Sequence, residues 1–143
     1  MSADLLEVEI TESAIMEDPD RSLSTLTALN RLGLHTAIDD FGAGYSSLAY
    51  LARLPVDISK IDRSFVLELA KVGNGASQEA TVVRAMIDLA HSLGLQVVAE
   101  GTENRQMFDL ITAMRCDFAQ GFYLGVPVPA HDIQIHRSQA SGE

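Results

Sequence analysis

The stretch that decides the fold is His35-Thr36-Ala37-Ile38-Asp39-Asp40-Phe41-Gly42-Ala43-Gly44-Tyr45-Ser46-Ser47. It opens with a short apolar run that predicts a strand over 35–39, and two adjacent acids end that strand. A glycine-rich turn follows at once and leads into a short helix predicted over 47–54. A strand that passes through a tight turn into a helix is the repeating unit of parallel α/β proteins.

Asp39 and Asp40 also carry the first chemical signal. Adjacent acids at a strand end cannot both face the core, and an unpaired buried carboxylate is costly. Such a pair is stable in water, against cations or around a metal, and oxygen clusters of this kind suit Mg²⁺ or Mn²⁺. The glycines of the turn allow the backbone to approach a ligand closely. An Asp-rich turn that only caps the next helix is the alternative that remains open at this point.

Strand and helix signals alternate along the rest of the chain. Alternating or continuous short apolar runs predict strands, and apolar residues at helical spacing predict helices. The predicted strands are 5–11, 35–39, 56–61, 95–99 and 117–121, and the predicted helices are 21–32, 47–54, 64–71, 81–93, 103–114 and 130–135. This order predicts a parallel sheet with helical crossovers.

Polar side chains stand at the end of every predicted strand. In chain order they are Glu9 and Glu12, Asp39 and Asp40, Lys60 and Asp62, Glu100 and Glu103, and Gln120. In barrels and in open α/β sheets, ligands and catalytic groups collect at the carboxyl ends of the strands. Taken singly, each residue has an ordinary structural explanation, such as a helix N-terminus for Glu103. Their joint placement predicts a functional site at this edge.

Composition limits the classes of function. The chain has 143 residues, 47% of them hydrophobic, and a formal net charge of −10, which predicts one globular unit without a basic surface for DNA or a polybasic membrane segment. An acidic chain can still bind a phosphate ligand if metal ions lie between the two. Cys116 is the single cysteine, so an internal disulfide is impossible and a cytoplasmic location is expected. The sequence shows no signal peptide and no apolar run long enough for a membrane span.

The strand-end residues and the segments around them resemble the EAL domain, the bacterial cyclic di-GMP phosphodiesterase family. The matching segments follow the family's order with near-family spacing and are 6–13, 39–47, 55–62, 98–103 and 116–122. The resemblance implies that residues 1–135 are the C-terminal part of an EAL domain, followed by a polar tail over 136–143. The implied fold is a partial (β/α)₈ TIM-type barrel of about five βα units that lacks the N-terminal strands.

The resemblance implies hydrolysis of cyclic di-GMP to linear pGpG at a two-metal site for Mg²⁺ or Mn²⁺. It implies Glu9 and Asp39 as ligands of a first ion, and Asp39 and Asp40 as ligands of a second, with Asp39 bridging. Two cations about 3.5–4 Å apart can activate a water molecule and stabilise the transition state of in-line attack on a phosphodiester.

The same resemblance implies roles for other residues. Lys60 would orient the attacking water or help to deprotonate it, and Glu100 would act as general base or contact a metal through water. Glu12 would anchor the loop 39–47, which lies at the family's dimer contact. The resemblance assigns three further site positions, Asp62, Glu103 and Gln120.

Part of the family's pattern does not occur in this sequence. The Glu-Ala-Leu motif that names the family provides a metal ligand, and the next strand of the family provides a metal-binding asparagine; the chain has neither. A complete barrel has eight strands and about 250 residues, so the predicted strands would leave two open edges. We therefore expect little catalysis by the chain alone, and we expect a homo-oligomer or association with an N-terminal EAL fragment.

Two other interpretations remain open. One is a catalytically dead remnant that acts as an interaction module in cyclic di-GMP signalling. The other is a receiver-like doubly wound domain, which the chain length and the acidic pair would suit. A receiver requires an aspartate at the end of its third strand and a lysine at the end of its fifth. Here Lys60 ends the third predicted strand and Gln120 the fifth, so the order of residues disfavours this class.

Overall fold

The computed structural model describes residues 2–42, 48–71 and 78–133. Within these residues the strands are β1 (Glu7–Thr11), β2 (His35–Phe41), β3 (Ile58–Ile61), β4 (Gln96–Glu100) and β5 (Phe118–Gln120). The α-helices are α1 (Glu12–Glu17), α2 (Pro19–Arg31), α3 (Leu48–Leu51), α4 (Arg63–Lys71), α5 (Gln78–Ser92) and α6 (Arg105–Ala113). Short 3₁₀ turns cover Ala3–Leu5 and Ala130–Asp132.

The predicted strands are all present, and the main differences concern short helices. Helix α1 was not predicted, because its six residues are too few to show a helical period. It begins where the hydroxyl of Thr11 accepts a hydrogen bond from the backbone N–H of Ala14 at 3.2 Å. The helix predicted over 130–135 is wrong at its start, where the chain forms only the 3₁₀ turn. Parts of three predicted segments (43–47, 73–77 and 134–143) lie outside the described residues.

The strands form one five-stranded sheet in the order β1-β2-β3-β4-β5, and every pair is parallel. Each strand therefore pairs with the next one in the sequence, as in a (β/α)₈ barrel. The core lies between the sheet and its helices. It contains Ile38, Ile61 and Val97 from the strands and Val66, Val83 and Ile87 from α4 and α5. The fold is thus mixed α/β, and it is consistent with the predicted partial barrel.

Carboxylates join the amino-terminal ends of the strands, in the same way at two places. Asp57 precedes β3, and its Oδ2 accepts a hydrogen bond from the backbone N–H of Thr36 on β2 at 3.0 Å. Asp117 precedes β5, and its Oδ2 accepts from the backbone N–H of Val97 on β4 at 2.8 Å. The same oxygen of Asp117 lies 2.8 Å from Nε2 of His91, at the end of α5. Each carboxylate fixes the position of one strand along its neighbour.

The two outer strands are open in the part of the chain that the structure describes. β1 pairs only with β2, and β5 pairs only with β4. Large apolar side chains near these edges are exposed, namely Leu5, Leu6, Val8, Phe118, Phe122, Leu124, Val126, Val128 and Ile133. Open strand edges flanked by apolar surface are normally covered in stable proteins. Among the helices of residues 2–42, 48–71 and 78–133, none combines the length and apolarity that a membrane crossing needs.

Replacing Asp117 by alanine should destabilise the fold, because the Val97 N–H would lose its acceptor. The expected loss is about 1–2 kcal/mol of unfolding free energy. Burial opposes ionisation of Asp117, but the hydrogen bonds from His91 and Val97 outweigh burial and lower the pKa of this carboxyl. Its ionised form therefore stabilises the fold above the unfolded pKa of about 4, and this contribution is lost as the pH falls through the lower folded pKa.

Urea unfolding at pH 7 and at pH 3 measures this contribution. Asp109→Ala is the matched control, since Asp109 is an exposed carboxylate paired with Arg105 on its own helix and such pairs contribute about 0–1 kcal/mol. Equal losses for the two variants at pH 7 would show that the strand contact of Asp117 contributes nothing.

Candidate functional site

The acidic pair Asp39-Asp40 lies on a β-bulge at the end of β2. Between Ile38 and Phe41 the register with β3 shifts, so β2 has one residue more than its partner. Asp40 adopts φ 56°, a left-handed conformation that is uncommon for residues other than glycine, and its N–H donates to Oδ1 of Asp39 at 2.9 Å. A regular strand directs consecutive side chains to opposite faces. The bulge removes that restriction, so both carboxylates can lie at the carboxyl edge of the sheet.

Lys60 lies between two carboxylates from other strands. Its Nζ is 2.6 Å from Oε1 of Glu9 on β1 and 2.6 Å from Oε1 of Glu100 on β4. The lysine is only 5% exposed. Burial opposes its protonation, but the hydrogen bonds to Glu100 and Glu9 outweigh burial and raise the pKa of Lys60 above its usual value. Three of the predicted site residues are therefore joined by one ammonium group.

Negative charge is concentrated around Asp40. Partial burial and the charges of Asp39, Asp62 and Glu12 raise the pKa of the Asp40 carboxyl, whereas Lys60 lowers it. The structure thus brings these predicted residues to the same edge of the sheet. Such an excess of carboxylates attracts cations, because each added positive charge relieves their mutual repulsion.

Glu12 contacts the glycine-rich turn, as the predicted loop anchor requires. Its side chain is 3% exposed, and its Oε2 accepts a hydrogen bond from the backbone N–H of Gly42 at 2.9 Å. Gly42 has φ 90°, so a side chain at this position would be strained. The contact reaches the first glycine of the turn, and residues 43–47 lie outside the described part. The role of Glu12 as an anchor for the whole loop stays a prediction.

The described residues do not provide a complete metal site. Within 2–42, 48–71 and 78–133, no group of three or more His, Cys, Asp and Glu side chains is arranged to hold a metal ion. One oxygen of Glu9 is engaged by Lys60, and one oxygen of Asp39 by the N–H of Asp40. The implied ligands Glu9, Asp39 and Asp40 therefore do not fit Mg²⁺ or Mn²⁺ on their own.

A pocket of about 180 Å³ lies beside this edge, between the ends of β4 and β5. It is lined by Arg63, Glu100, Gly101, Glu103, Gln120, Gly121 and Phe122. It brings together three predicted residues, Glu100, Glu103 and Gln120. Sequence reasoning missed Arg63, which forms an ion pair with Glu103, and Phe122, a residue that is 64% exposed. Each lies two residues after the last residue of a strand, and this position near a recognised strand end was the available signal.

Two glycines shape the pocket because the backbone passes very close to other atoms there. A Cβ on Gly101 would lie 2.3 Å from Cγ of Arg63, and a Cβ on Gly121 would lie 2.2 Å from the carbonyl oxygen of Thr102. The Thr102 N–H also donates to the carbonyl of Gln120 at 3.0 Å, and the Tyr123 N–H donates to the carbonyl of Thr102 at 3.1 Å. The segment after β5 is thereby fastened to the end of β4.

Comparisons with known proteins identify relatives of this chain. The family model described as "EAL domain" matches residues 1–127. The bifunctional diguanylate cyclase/cyclic di-GMP phosphodiesterase MucR of Pseudomonas aeruginosa is 45% identical over 126 residues, which are 88% of this chain and 18% of MucR. The chain spans less than a fifth of the length of this curated relative.

Solved structures match as well. The structure described as "PaMucR Phosphodiesterase, c-di-GMP complex" superposes with a TM-score of 0.85 at 44% identity, covering 92% of this chain and 51% of that one. A manganese/cyclic di-GMP complex of Klebsiella pneumoniae BlrP1 superposes with a TM-score of 0.74 at 32% identity, covering 85% of this chain and 30% of that one. The region that matches this chain is therefore about half of the MucR structure and a smaller share of the BlrP1 structure.

Adding a methyl group at Gly121 should disturb the pocket, because the backbone atoms of Thr102 leave no room for it. We expect Gly121→Ala to lower the unfolding free energy by about 1–3 kcal/mol, the usual cost of overpacking. Gly125→Ala is the matched control on the same segment, since a Cβ there meets nothing within 4 Å. Thermal unfolding followed by circular dichroism compares the two. Equal melting temperatures would contradict the close approach of Gly121 to Thr102.

Proposed function

The chain belongs to the EAL domain family, and we propose that it is the C-terminal part of a metal-dependent phosphodiesterase that hydrolyses cyclic di-GMP to linear pGpG. The observation that carries the proposal is the ammonium of Lys60, held 2.6 Å from Glu9 and 2.6 Å from Glu100 beside the acidic pair. This arrangement places a cation and a proton acceptor at one edge of the sheet.

The residues of this chain support parts of the reaction. The Lys60 ammonium would attract a phosphodiester and orient the attacking water, and the Glu100 carboxylate would accept a proton from that water. Asp39, Asp40 and Glu9 would contribute ligands to Mg²⁺ or Mn²⁺ only when the longer protein supplies further ligands. With the described residues alone, we assign no chemical step to a metal.

The pocket beside the edge suits a nucleobase. A guanine has N–H donors on its pairing edge, and a carboxylate such as that of Glu103 can accept hydrogen bonds from them. It also has acceptors at N7 and O6, to which an arginine such as Arg63 can donate. The exposed ring of Phe122 offers an aromatic face on which a base can stack. We therefore propose that Arg63, Glu103, Gln120 and Phe122 bind one guanine of cyclic di-GMP, with Asp62 at the margin of the same edge.

A second candidate is a catalytically inactive module that binds cyclic di-GMP or a signalling partner. The absence of a three-ligand metal cluster from the described residues favours this candidate. The open edges of β1 and β5 would then bind a second copy of the chain or an N-terminal EAL fragment. A cytoplasmic location fits both candidates and stays a prediction.

Hydrolysis separates the two candidates. The chain alone should give no detectable pGpG, and activity should appear when it is co-expressed with the N-terminal EAL segment of MucR, which would cover the open edges. In that complex Lys60→Ala and Glu100→Ala should each lower kcat by about 10²–10⁴-fold, the usual contribution of a positioned acid or base. Chromatography of the guanine products measures the rate.

Arg84→Ala on the exposed face of α5 is the control for hydrolysis and should leave the rate unchanged. Robust turnover by the chain alone would show that the expected missing ligands are dispensable. A folded complex without turnover would favour the inactive module.

Metal binding to the chain alone should be weak, because only Glu9, Asp39 and Asp40 of the implied ligand set occur in this sequence. Calorimetric titration with Mn²⁺ should show a dissociation constant well above the micromolar range, and Asp39→Ala or Asp40→Ala should abolish the signal, since sites with few ligands hold such cations poorly. Asp109→Ala, an exposed carboxylate on α6, should not change it. Submicromolar affinity that survives both site substitutions would place the metal elsewhere.

A further inference from the structure

The turn that carries the acidic pair needs support from its surroundings. Asp40 has φ 56° and Gly42 has φ 90°, so two residues in the left-handed region flank Phe41. Phe41 itself is buried, with 2% exposure. A residue such as Asp40 keeps a left-handed conformation only where neighbouring groups hold it there. The groups that contact this turn therefore decide where the Asp39 and Asp40 carboxylates lie.

Two side chains from elements distant in the sequence contact Gly42. The buried carboxylate of Glu12 on α1 accepts the Gly42 N–H at 2.9 Å. The second side chain is that of Met86 on α5. A Cβ built on Gly42 would fall 2.4 Å from Cε and 3.3 Å from Sδ of Met86, so the end of the thioether packs directly on the Gly42 backbone. Met86 is 8% exposed, and no motif of the sequence singles it out.

We propose that Met86 is a positioning residue for the acidic pair: the terminal methyl of its side chain holds Gly42 against Glu12 and thereby fixes the bulge of Asp39 and Asp40. Its importance for catalysis rests on the proposed function, whereas its effect on the turn does not. Methionine suits this task because its unbranched chain reaches further than leucine and adapts to an irregular surface. Helix α5 thus contributes to the site without providing a ligand.

The alternative is that Met86 only fills space in the core, where it belongs to the same cluster as Phe41, Leu51 and Ile87. Substitution by leucine separates the two roles. Leucine keeps the apolar volume, and such exchanges are usually well tolerated, but its branched side chain ends before the position of Cε. A space-filling role predicts little change for Met86→Leu. A positioning role predicts a local change at Gly42.

Hydrogen exchange of the Gly42 amide, followed by NMR in the chain without metal or nucleotide, measures the local change. We expect Met86→Leu to accelerate this exchange about tenfold, while exchange of core amides in β3 and β4 follows global stability. Ile87→Val is the matched control, a buried neighbour on α5 that also loses volume. Glu12→Ala is the positive control, because it removes the acceptor of this amide. Equal Gly42 exchange in Met86→Leu and Ile87→Val would overturn the proposal.

Binding measurements on the same variants keep this result separate from the proposed function. If Mn²⁺ binds the parent chain at the acidic pair, Met86→Leu should weaken binding several-fold and Ile87→Val should leave it unchanged, because a displaced turn misplaces its carboxylates. Unchanged Mn²⁺ affinity together with faster Gly42 exchange would overturn the link between Met86 and the acidic pair. If the parent chain binds no Mn²⁺ at this pair, the weak binding expected of the chain alone is contradicted, and the exchange experiment still decides whether Met86 holds the turn.

Discussion

The carboxyl edge of the sheet depends on one buried cation. Lys60 extends from β3 between Glu9 of β1 and Glu100 of β4, so a single ammonium group links strands that do not pair with one another. A buried charge is tolerated only when it is paired, and removing one member leaves the others uncompensated. The two carboxylates keep the lysine charged, and the lysine keeps the carboxylates close. The site geometry is therefore a property of several strands together, since β4 is the neighbour of β3 and β1 is separated from β3 by β2.

After this pairing, the carboxyl edge of the sheet still carries an excess of negative charge. Asp39, Asp40, Asp62 and Glu12 add negative charge that Lys60 alone does not balance, in a chain whose net charge is already −10. A phosphodiester approaching this edge would be repelled unless further positive charge were present. The comparison with a manganese complex of a related structure fits this requirement.

The sequence allowed prediction of the strands and of the residues at their ends, because parallel strands place their carboxyl ends together whatever their side chains are. It did not reveal the bulge at Asp40. A bulge is a relation between two strands, and the sequence of β2 alone does not state its register with β3. For the same reason the sequence did not reveal Met86 and Arg63. Met86 is singled out by its contact with Gly42, and Arg63 by its ion pair with Glu103. Helix α1 was missed for a different reason, since six residues show no period.

The carboxylates at the opposite edge have a consequence for how this fold can change over time. Asp57 joins β3 to β2 and Asp117 joins β5 to β4, and both contacts lie at the strand ends opposite the candidate site. The contacts that join the amino-terminal ends of the strands therefore involve none of the candidate site residues. Substitutions at the carboxyl ends can alter what the protein binds while the fastening at the amino ends is untouched. A strand pair of this kind is a unit that evolution can retain while the activity at its other end is modified or lost.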